Sequence, residues 1–524
     1  MYVMRLLFMI LTLVVFALTT LPTTKAFPQT EWIVDDSVPA YDTLRKALLA
    51  ARAGDVIKIM PGNYTDAVVL DKRVDLVAEP GVKLGPVDVH VSDVALSSFD
   101  SEGIRIGPNV NDIKMDNIAT ASLTIESANN IEMTDVRGMS ITANNVTNLL
   151  MTRVYGSLSA TTIRKLDYYD STGGYTVNGD DITLSNVRGT GSISGSKISV
   201  LGASGTLSVT GSDTEVVYST LSGLAVDGAN SVVASNQLSN SITLRGNAVV
   251  FHDNIIRNFA TFDVSASNSS IYNNTFVNKL GSDRVSETSS PDIILQGGVT
   301  FVDNSIETFR GILVGACETT LKSNNLFLTR IPKSFYSQWN QTQEASQAAG
   351  LKVTGTCEEG KTNRIVLNKI HGFKIGVAIE SSNNDFRINE VESNSTNIKV
   401  IGNNNVLLRN NFLGNATAID DGIGNQWFVD INPSTEEGTG GGNYWDRWRE
   451  NDVDSDGIID TPFVLEGKGD RAIDMLPFVE ALPLVDEQVV VPEFGAIAGT
   501  VVLLSVTGAI LGSSWMRSNR FLRK

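Results

Sequence analysis

The sequence repeats one signature at Val233-Ala-Ser-Asn236, Phe251-His-Asp-Asn254 and Ile271-Tyr-Asn-Asn274, where a hydrophobic residue stands three positions before an asparagine. The asparagines mostly lie 18 to 21 residues apart, with two longer gaps of 30 and 44 residues. A period of about 20 residues, built from short β-branched runs and polar turns, is typical of a solenoid. Five more pairs complete the series: Phe301/Asn304, Leu321/Asn324, Ile365/Asn368, Phe386/Asn389 and Leu407/Asn410.

Asparagine suits such a repeat because its amide hydrogen-bonds backbone groups in a tight turn and because it tolerates left-handed dihedrals. We expect the asparagines of successive turns to stack inside the solenoid as a ladder in which each amide satisfies the next. The repeat therefore predicts an all-β fold of stacked parallel strands. About 20 turns fit the available chain at this period.

An amphipathic segment precedes the repeats, with Leu44, Ala47, Leu48 and Ala51 at helical spacing. We expect Asp42 to cap this helix and Gly54 to end it. The helix would cover the open end of the solenoid, where unpaired strand edges otherwise invite further pairing.

The stretch from Tyr41 to Val77 combines this helix with Gly54-Asp55, a strand and Pro61-Gly-Asn-Tyr64. It resembles the opening of pectin-lyase-like parallel β-helices. The resemblance implies a right-handed parallel β-helix with PbH1-type repeats, and it implies nothing specific about activity.

Residues 80–230 keep the rhythm with a less regular ladder, and apolar residues still alternate there. We expect continuous solenoid and no second globular domain. The predicted organisation is an N-terminal cap with the first turns at 27–77, the β-helix at 78–430 and a C-terminal cap at 431–485. The repeated phrases are Ile113-Lys-Met-Asp116, Ile131-Glu-Met-Thr134, Leu150-Met-Thr-Arg153 and Ile182-Thr-Leu-Ser185.

The two ends of the chain predict export and tethering. Arg5, an apolar run and Thr24-Lys25-Ala26 are typical of a secretory signal peptide over residues 1–26. Residues 496–515 lack charge and are long enough for a transmembrane helix, and the basic tail at 516–524 favours a cytoplasmic C-terminus. The sequence therefore predicts a protein at the outer face of the cell membrane.

The linker at 486–495 ends with Pro492, Glu493, Phe494 and Gly495, directly before the apolar segment. Motif, hydrophobic helix and basic tail in this order resemble the PEF-type C-terminal sorting signals of archaeal archaeosortase substrates. The resemblance implies cleavage by an archaeosortase and transfer to a lipid-like anchor. A plain membrane anchor is the alternative interpretation of the same segment.

The charge of the chain bears on its partners, because the formal net charge is −17. Six of the 41 basic residues and one of the 58 acidic residues lie in the end segments, so residues 27–492 hold 35 basic and 57 acidic residues, net −22. Such a surface repels nucleic acid, and it repels acidic glycans unless a divalent cation bridges them. The composition argues against nucleic acid as a partner.

The repeat is interrupted at about 329–350, where Pro332 and Gly350 bound a predicted helical insertion. Phe335, Tyr336 and Trp339 fall near one face of this helix, so they are candidate ligand-binding residues that could stack on sugar rings. The alternative is that the three rings only seat the insertion on the solenoid.

Cys317 and Cys357 bracket the insertion at similar repeat positions. Outside the cell, an even number of cysteines usually pairs, so we expect a disulfide between them. Two free buried thiols are the alternative.

An acidic loop follows the last repeat and carries the strongest chemical motif of the chain. Oxygen ligands at its spacing suit Ca²⁺ better than zinc or copper, so we expect a structural calcium site that holds the C-terminal cap. Phe463 stands where an EF-hand has glutamate, so Asp470, Asp474 or water would have to complete the site. A solvated acidic turn is the alternative. The expected ligands are Asp452, Asp454, Asp456, the carbonyl of Ile458, and Asp460, with Gly457 at the sharp turn.

The segment from Gly440 to Pro477 resembles the C-terminal end of NosD-like surface β-helix proteins. NosD-like proteins are described as copper-site maturation factors, but His90, His252 and His371 are widely spaced and form no soft-metal motif. The resemblance therefore implies the fold and the repeat, and not the copper function.

A lyase or glycosidase of this fold would need clustered carboxylates. The candidate pairs Asp180-Asp181 and Asp420-Asp421 lack the Asn-Thr-Asp and Gly-His-Gly surroundings of polygalacturonases, so we interpret them as turn aspartates.

The sequence therefore favours a membrane-anchored, non-catalytic protein that binds glycan, adheres or builds the envelope. A surface polysaccharide lyase or glycoside hydrolase is the alternative. A groove lined by threonine, asparagine and aromatic residues would favour binding, and partly buried carboxylates facing a lysine or arginine in a groove would favour catalysis.

Overall fold

The computed structural model describes residues 29–35, 43–278, 291–329, 349–429 and 441–485. Over these residues the chain forms a parallel β-solenoid of the right-handed type with about 18 turns and one short helix. The all-β solenoid prediction is confirmed. In the described part of the chain, no helix is both long and apolar enough to span a bilayer.

Several predicted segments lie outside the described residues. They are the signal peptide, the core of the helical insertion at 330–348, the sorting motif at 492–495, the segment at 496–515 and the basic tail.

Helix α1 spans Leu44–Ala50 and lies at the N-terminal end, with Leu44 and Ala47 buried. Its N-cap is Thr43 and not Asp42, because the Thr43 hydroxyl accepts a 3.3 Å hydrogen bond from the backbone N–H of Lys46. The prediction that Gly54 ends the helix was also wrong. The helix ends at its C-cap Ala51, and Gly54 lies beyond it with φ of +97° in the following turn.

Most of the first seventeen strands are short, because each of them lies in only one of the sheets of the solenoid. They are β1 (Glu31–Val34), β2 (Val56–Ile59), β3 (Asn63–Tyr64), β4 (Val68–Leu70), β5 (Asp75–Ala78), β6 (Lys83–Leu84), β7 (Val87–Val89), β8 (Val94–Ser97), β9 (Asp100–Ser101), β10 (Ile104–Ile106), β11 (Asn111–Asp116), β12 (Ala119–Glu126), β13 (Asn129–Thr134), β14 (Arg137–Asn144), β15 (Asn148–Thr152), β16 (Tyr155–Ile163) and β17 (Lys165–Tyr169).

The middle of the chain contains the longest strands, which pass through corners without interruption. They alternate with short ones: β18 (Tyr175–Ser185), β19 (Arg188–Leu201), β20 (Ser204–Val217), β21 (Thr220–Asp227), β22 (Val232–Ala234), β23 (Gln237–Asn247), β24 (Val250–His252) and β25 (Ile255–Ser267).

The C-terminal turns return to short strands. They are β26 (Ser269–Tyr272), β27 (Thr275–Val277), β28 (Ile293–Leu295), β29 (Val299–Val302), β30 (Ser305–Thr308), β31 (Ile312–Val314), β32 (Thr320–Lys322), β33 (Asn325–Leu328), β34 (Ala349–Val353), β35 (Asn363–Val366), β36 (Lys369–His371), β37 (Ile375–Ile379), β38 (Asn384–Arg387), β39 (Glu390–Glu392), β40 (Thr396–Val400), β41 (Val406–Leu408), β42 (Asn411–Leu413), β43 (Thr417–Asp420), β44 (Tyr444–Trp445), β45 (Phe463–Val464) and β46 (Ile473–Asp474).

Parallel pairing stacks these strands into three sheets, and each turn of the chain supplies a segment to each sheet in order. The first sheet begins with β1, β2, β5 and β8. The second begins with β3, β6 and β9, and the third with β4, β7 and β10. β19 and β20 pair along parts of all three sheets. The one antiparallel strand pair of the described residues, β45 with β46, lies in the C-terminal cap.

Inward side chains of the three sheets form one continuous hydrophobic core from Val34 to Leu465. Fully burying a valine, leucine, isoleucine or phenylalanine contributes about 1.5–3 kcal/mol each, so this core is the main source of stability.

The predicted asparagine ladder is confirmed at the corner between the first and second sheets. Asn254 Nδ2 donates to Asn274 Oδ1 at 3.1 Å, and Asn304 Nδ2 donates to Asn324 Oδ1 at 3.0 Å. From Asn254 to Asn410, each amide also donates to the carbonyl of the signature hydrophobic residue in the preceding turn, as Asn254 does to Val233 at 2.9 Å. This bond explains why the signature couples the two positions. A ninth asparagine, Asn443, continues the ladder.

A second ladder, which the sequence analysis missed, lies at the start of the first-sheet strands. Asn363, Asn384, Asn405 and Asn425 are buried, and each amide donates to the next at 2.8–3.1 Å. Asn425 then donates to the carboxylate of Asp420 at 2.8 Å.

The turns around residues 173–220 are the tightest, because glycines repeat there every 16 residues at Gly173, Gly189 and Gly205. These glycines have φ of +151°, +147° and +120°. A Cβ on Gly189 or Gly205 would lie 2.0 Å from the carbonyl oxygen of the glycine below, so only glycine fits. A parallel column contains Gly195 and Gly211.

The sequence analysis placed the repeated phrase Leu150-Met-Thr-Arg153 one residue too far along the chain. Met151 pairs with Met133, and Leu149 pairs with Ile131, so Leu149 is buried and Leu150 faces outward. The equivalent phrase therefore starts at Leu149 and not at Leu150.

Candidate functional site

The corner between the first and second sheets shapes the surface described next. In successive turns Asp135, Arg153, Asp170 and Asn186 adopt φ between +48° and +55°. The residue after each of them is buried, and the residue after that points outward from the second sheet. Each turn therefore places one side chain on either side of the corner, and the two rows enclose a shallow open groove along the solenoid.

The groove is defined by six residues of consecutive turns: Tyr155, Asp170, Thr172, Asn186, Arg188 and Gly202. A second depression on the same corner, lined in part by Asn117, Asp135 and Arg137, continues it towards the N-terminus. We call the whole surface the corner groove.

One row of the corner groove consists of Arg137, Tyr155, Thr172 and Arg188, which occupy the same position of successive turns. With about 4.8 Å between paired strands, Arg137 and Arg188 lie about 14 Å apart along the solenoid. The Tyr155 side chain is 43% exposed, and the guanidinium carbon of Arg137 lies 6.0 Å from its ring centre. Arg137 therefore lies beside the ring of Tyr155, and Arg188 lies two turns beyond it, after Thr172.

The other row is largely neutralised within itself. Asp135 accepts two hydrogen bonds from Arg153, at 2.6 and 2.7 Å, and this pairing lowers the pKa of Asp135. Asp170 accepts a 3.0 Å hydrogen bond from the Asn186 amide. Arg137 adds a smaller lowering of the pKa of Asp135, but in the described chain neither Arg137 nor Arg188 lies within 4.0 Å of a carboxylate oxygen.

The sequence analysis did not find this groove. Its row recurs after 18, 17 and 16 residues, so no fixed period marks it. The exposed tyrosine within an outward-facing, otherwise small or polar row was the available signal.

The acidic loop folds back on itself near the C-terminal cap. Carboxylate oxygens of Asp452, Asp454 and Asp460 all lie within 4.8 Å of one another, as a cation site would require. Asp456 is not part of this group, since its carboxylate accepts the backbone N–H of Ile458 at 2.9 Å. Partial desolvation and the charge of Asp456 raise the pKa of Asp454.

The residues considered as further ligands serve other contacts. Asp474 is fully buried and accepts hydrogen bonds from Asn443 and Trp445. Asp470 accepts the backbone N–H of Gly424 at 2.7 Å. The oxygens of Asp474 hold the end of the interior ladder.

Cys317 and Cys357 form a disulfide, with Cα atoms 5.1 Å apart. They bracket the segment 330–348, so Phe335, Tyr336 and Trp339 lie outside the described residues.

The two acidic pairs have structural roles. Asp181 adopts φ of +51° at a corner, and Asp180 accepts a hydrogen bond from Ser196 at 2.6 Å. Asp420 is buried and accepts from the indole of Trp427 at 2.7 Å, whereas Asp421 accepts the N–H of Lys468. Neither pair lines the corner groove.

A charged cluster outside the groove surrounds His371 on the second sheet. Its Nε2 lies 3.1 Å from Glu390 and its Nδ1 lies 3.1 Å from Glu392, while Lys369 approaches Glu390 at 3.9 Å. His90 and His252 lie in other turns beside Asp88 and Asp253. Among the described residues the histidines therefore do not converge on a metal site.

The similarity of this chain to known proteins is confined to solved structures. No protein-family model matches the chain, and no characterised protein matches it in sequence. Among solved structures, the chain is similar to a variant of the PL6-family alginate lyase AlyGC, with 10% identity, TM-score 0.30, and coverage of 79% of this chain and 100% of that one.

Two further likenesses are PfbA, a surface adhesin of Streptococcus pneumoniae, and the tailspike protein of E. coli bacteriophage HK620 in complex with a pentasaccharide. PfbA has 10% identity and TM-score 0.18, covering 75% of this chain and 89% of its own. The tailspike has 11% identity and TM-score 0.19, covering 71% and 80%. At these values the likenesses do not assign an activity.

Proposed function

We propose that this protein is a cell-surface β-solenoid that binds polysaccharide in the corner groove without cleaving it. The observation that carries the proposal is the exposed ring of Tyr155, set among Thr172, Asn186 and Arg188 in an open groove. An aromatic face stacks on a sugar ring, and the hydroxyl, amide and guanidinium groups around it bind sugar hydroxyls and fix orientation.

The same lining argues against hydrolysis in this groove. Glycoside hydrolysis ordinarily uses two carboxyl groups on opposite sides of the bond that breaks. Around Tyr155 the lining includes one carboxylate, Asp170, and it is hydrogen-bonded to Asn186. Of the two carboxylates in the second depression, Asp100 and Asp135, Asp135 is paired with Arg153. The groove therefore matches the arrangement that favours binding.

The proposal also covers where the protein is located and how its C-terminal cap is stabilised. Export by the signal peptide at 1–26 and tethering through residues 496–515, as an archaeosortase-processed PEF-type anchor, would hold the solenoid outside the membrane. Ca²⁺ at Asp452, Asp454 and Asp460 would bridge three carboxylates close to one another and stabilise the C-terminal cap. The resemblance to PbH1-type and NosD-like proteins belongs to the same proposal.

A polysaccharide panel tests the function. The protein is incubated with neutral and acidic polymers, with and without Ca²⁺, and both retention on the polymer and chain shortening are recorded. We expect retention without shortening, and Tyr155→Ala should abolish most of it. Phe327→Ala is the matched control, since Phe327 is also 43% exposed on the second sheet. Shortening of any polymer, or equal retention by Tyr155→Ala, would contradict the proposal.

A further inference from the structure

The charge distribution at the corner groove differs from that of the protein as a whole. The chain between residues 27 and 492 carries a net charge of −22, which repels anionic polymers. Along the groove, however, Arg137, Arg153 and Arg188 lie at the surface of the first, second and fourth of four successive turns. Beside Asp100, Asp135 and Asp170 these three arginines make the groove close to neutral within an acidic protein.

Not all of these charges are available to a ligand. Arg153 is committed to Asp135 through two hydrogen bonds. Asp170 lies close enough to Arg153 to raise the pKa of that guanidinium, after the larger effect of Asp135, and it also holds the Asn186 amide. Arg137 lies close enough to Asp135 to lower the pKa of that carboxyl, after the larger effect of Arg153, but in the described chain neither Arg137 nor Arg188 forms an ion pair within 4.0 Å, and both side chains are exposed.

We infer that the corner groove binds polysaccharide that carries carboxylate groups, with the polymer lying along the solenoid axis. This inference rests on the proposed function. A sugar ring stacks on Tyr155, the Thr172 hydroxyl binds the next unit, and carboxylates of the polymer contact the guanidinium groups of Arg137 and Arg188. The planar fork of arginine binds a carboxylate through two parallel hydrogen bonds.

The direction along the axis follows from the pairing of the row. Because Arg137, Tyr155, Thr172 and Arg188 are stacked on one another, a straight ligand that contacts all four must run parallel to the stack. The two arginines are about 14 Å apart, so the bound segment spans several sugar units. A neutral polymer could use Tyr155 and Thr172, but it would offer no partner of opposite charge to either arginine.

The test uses three linear polyuronates, polygalacturonate, alginate and hyaluronan, each beside its carboxyl-reduced form. The full chain is measured in EDTA, which removes cations that could bridge two acidic surfaces. We expect at least one polyuronate to bind more tightly than its reduced form, and to bind less tightly as salt is raised. Arg137→Gln and Arg188→Gln should each weaken binding by about tenfold or more, since each removes a charge-assisted hydrogen bond to a carboxylate of the polymer.

Arg245→Gln is the matched control, since Arg245 is exposed on the third sheet away from the groove. It should leave binding unchanged. Equal binding of native and reduced polymers, or full binding by both arginine variants, would overturn the inference while the proposed function stands if Tyr155→Ala still weakens retention. Failure of these polymers, and also of every neutral polymer of the panel, to bind would overturn both.

Discussion

The carboxylate of Asp474 accepts a 2.9 Å hydrogen bond from the indole Nε1 of Trp445 inside the C-terminal cap. The same carboxylate accepts the backbone N–H of Asn443, the last asparagine of the first ladder, at 2.8 Å. The second ladder ends in the same way, at Asp420 with Trp427. Each ladder therefore ends at a buried aspartate, an acceptor-only group when ionised, that meets the donors left over at the end of the stack.

The first prediction concerns pH and Asp474. Burial raises the pKa of Asp474 from 3.8 to about 6, although its hydrogen bonds oppose the shift. Between these values the folded protein binds more protons than the unfolded chain, so this group's contribution to stability is lost as pH rises through about 6. The loss amounts to about 3 kcal/mol in the free energy of unfolding.

Chemical denaturation at pH 4 and pH 7 measures this effect as the difference between wild type and Asp474→Asn. That difference should change by about 3 kcal/mol, with the wild type losing stability relative to the variant at pH 7. Asp421→Asn, an exposed neighbour of the second ladder's end, should show no such change. Identical pH profiles for wild type and Asp474→Asn would refute the assignment.

The second prediction concerns the first ladder. Asn324→Ala removes the acceptor of Asn304 and the donor to Phe301, so buried polar groups lose their partners. Each such group costs about 1–3 kcal/mol, and we expect a total loss of about 3–5 kcal/mol. Asn325→Ala, at the next and exposed position, should cost less than about 0.5 kcal/mol. Equal denaturation midpoints for the two variants would mean that the ladder does not stabilise the fold.

The third prediction concerns the glycine columns. Gly195→Ala would place a Cβ 1.6 Å from the carbonyl oxygen of Gly179 at a φ of +145°, so the tight turns must open. We expect a loss of about 4 kcal/mol or more, or failure to fold. Gly174→Ala is the control, because its Cβ meets nothing closer than 3.8 Å. Circular dichroism melts of the two variants decide the matter, and a Gly195→Ala melt like that of wild type would be inconsistent with the column.

The fourth prediction concerns calcium. Adding Ca²⁺ to metal-free protein should raise Tm by about 2–5 °C through binding to the folded state. Asp452→Asn and Asp454→Asn should remove this increase, because both carboxylates belong to the acidic cluster. Asp227→Asn, an exposed aspartate on the third sheet, should retain it. An increase of the same size in Asp454→Asn would place any calcium elsewhere.

The repeat was accessible from sequence because the first ladder imposes a chemical constraint at a nearly constant spacing. The signature did not identify Asn443, because Gly440, and not a hydrophobic residue, stands three positions before it. The second ladder also has regular spacing, 21, 21 and 20 residues from Asn363 to Asn425, but it follows no hydrophobic residue at a fixed offset. The 16-residue glycine repeat was visible in principle, and it lies two positions beyond the ladder position, which Ser171, Val187 and Ala203 occupy in these turns.

The corner groove was less accessible, because a functional row on a solenoid is assembled across turns of unequal length. Tyr155 and Arg188 are two turns apart in the structure and 33 residues apart in the chain. Only the register of the pairing brings them together. Likewise, nothing local in the sequence distinguished Asp474, which is buried at the end of a ladder, from the exposed aspartates of the acidic loop.

The central claim is that the corner groove is where polysaccharide binds. Oxidative footprinting of the protein with and without a retained polymer, read out by mass spectrometry at each aromatic residue, tests it directly. The account predicts that bound polymer protects Tyr155 from labelling, while Phe327, with equal exposure on the same sheet, is labelled as before. Unchanged labelling of Tyr155 together with protection at Phe327 or another distant surface would contradict it.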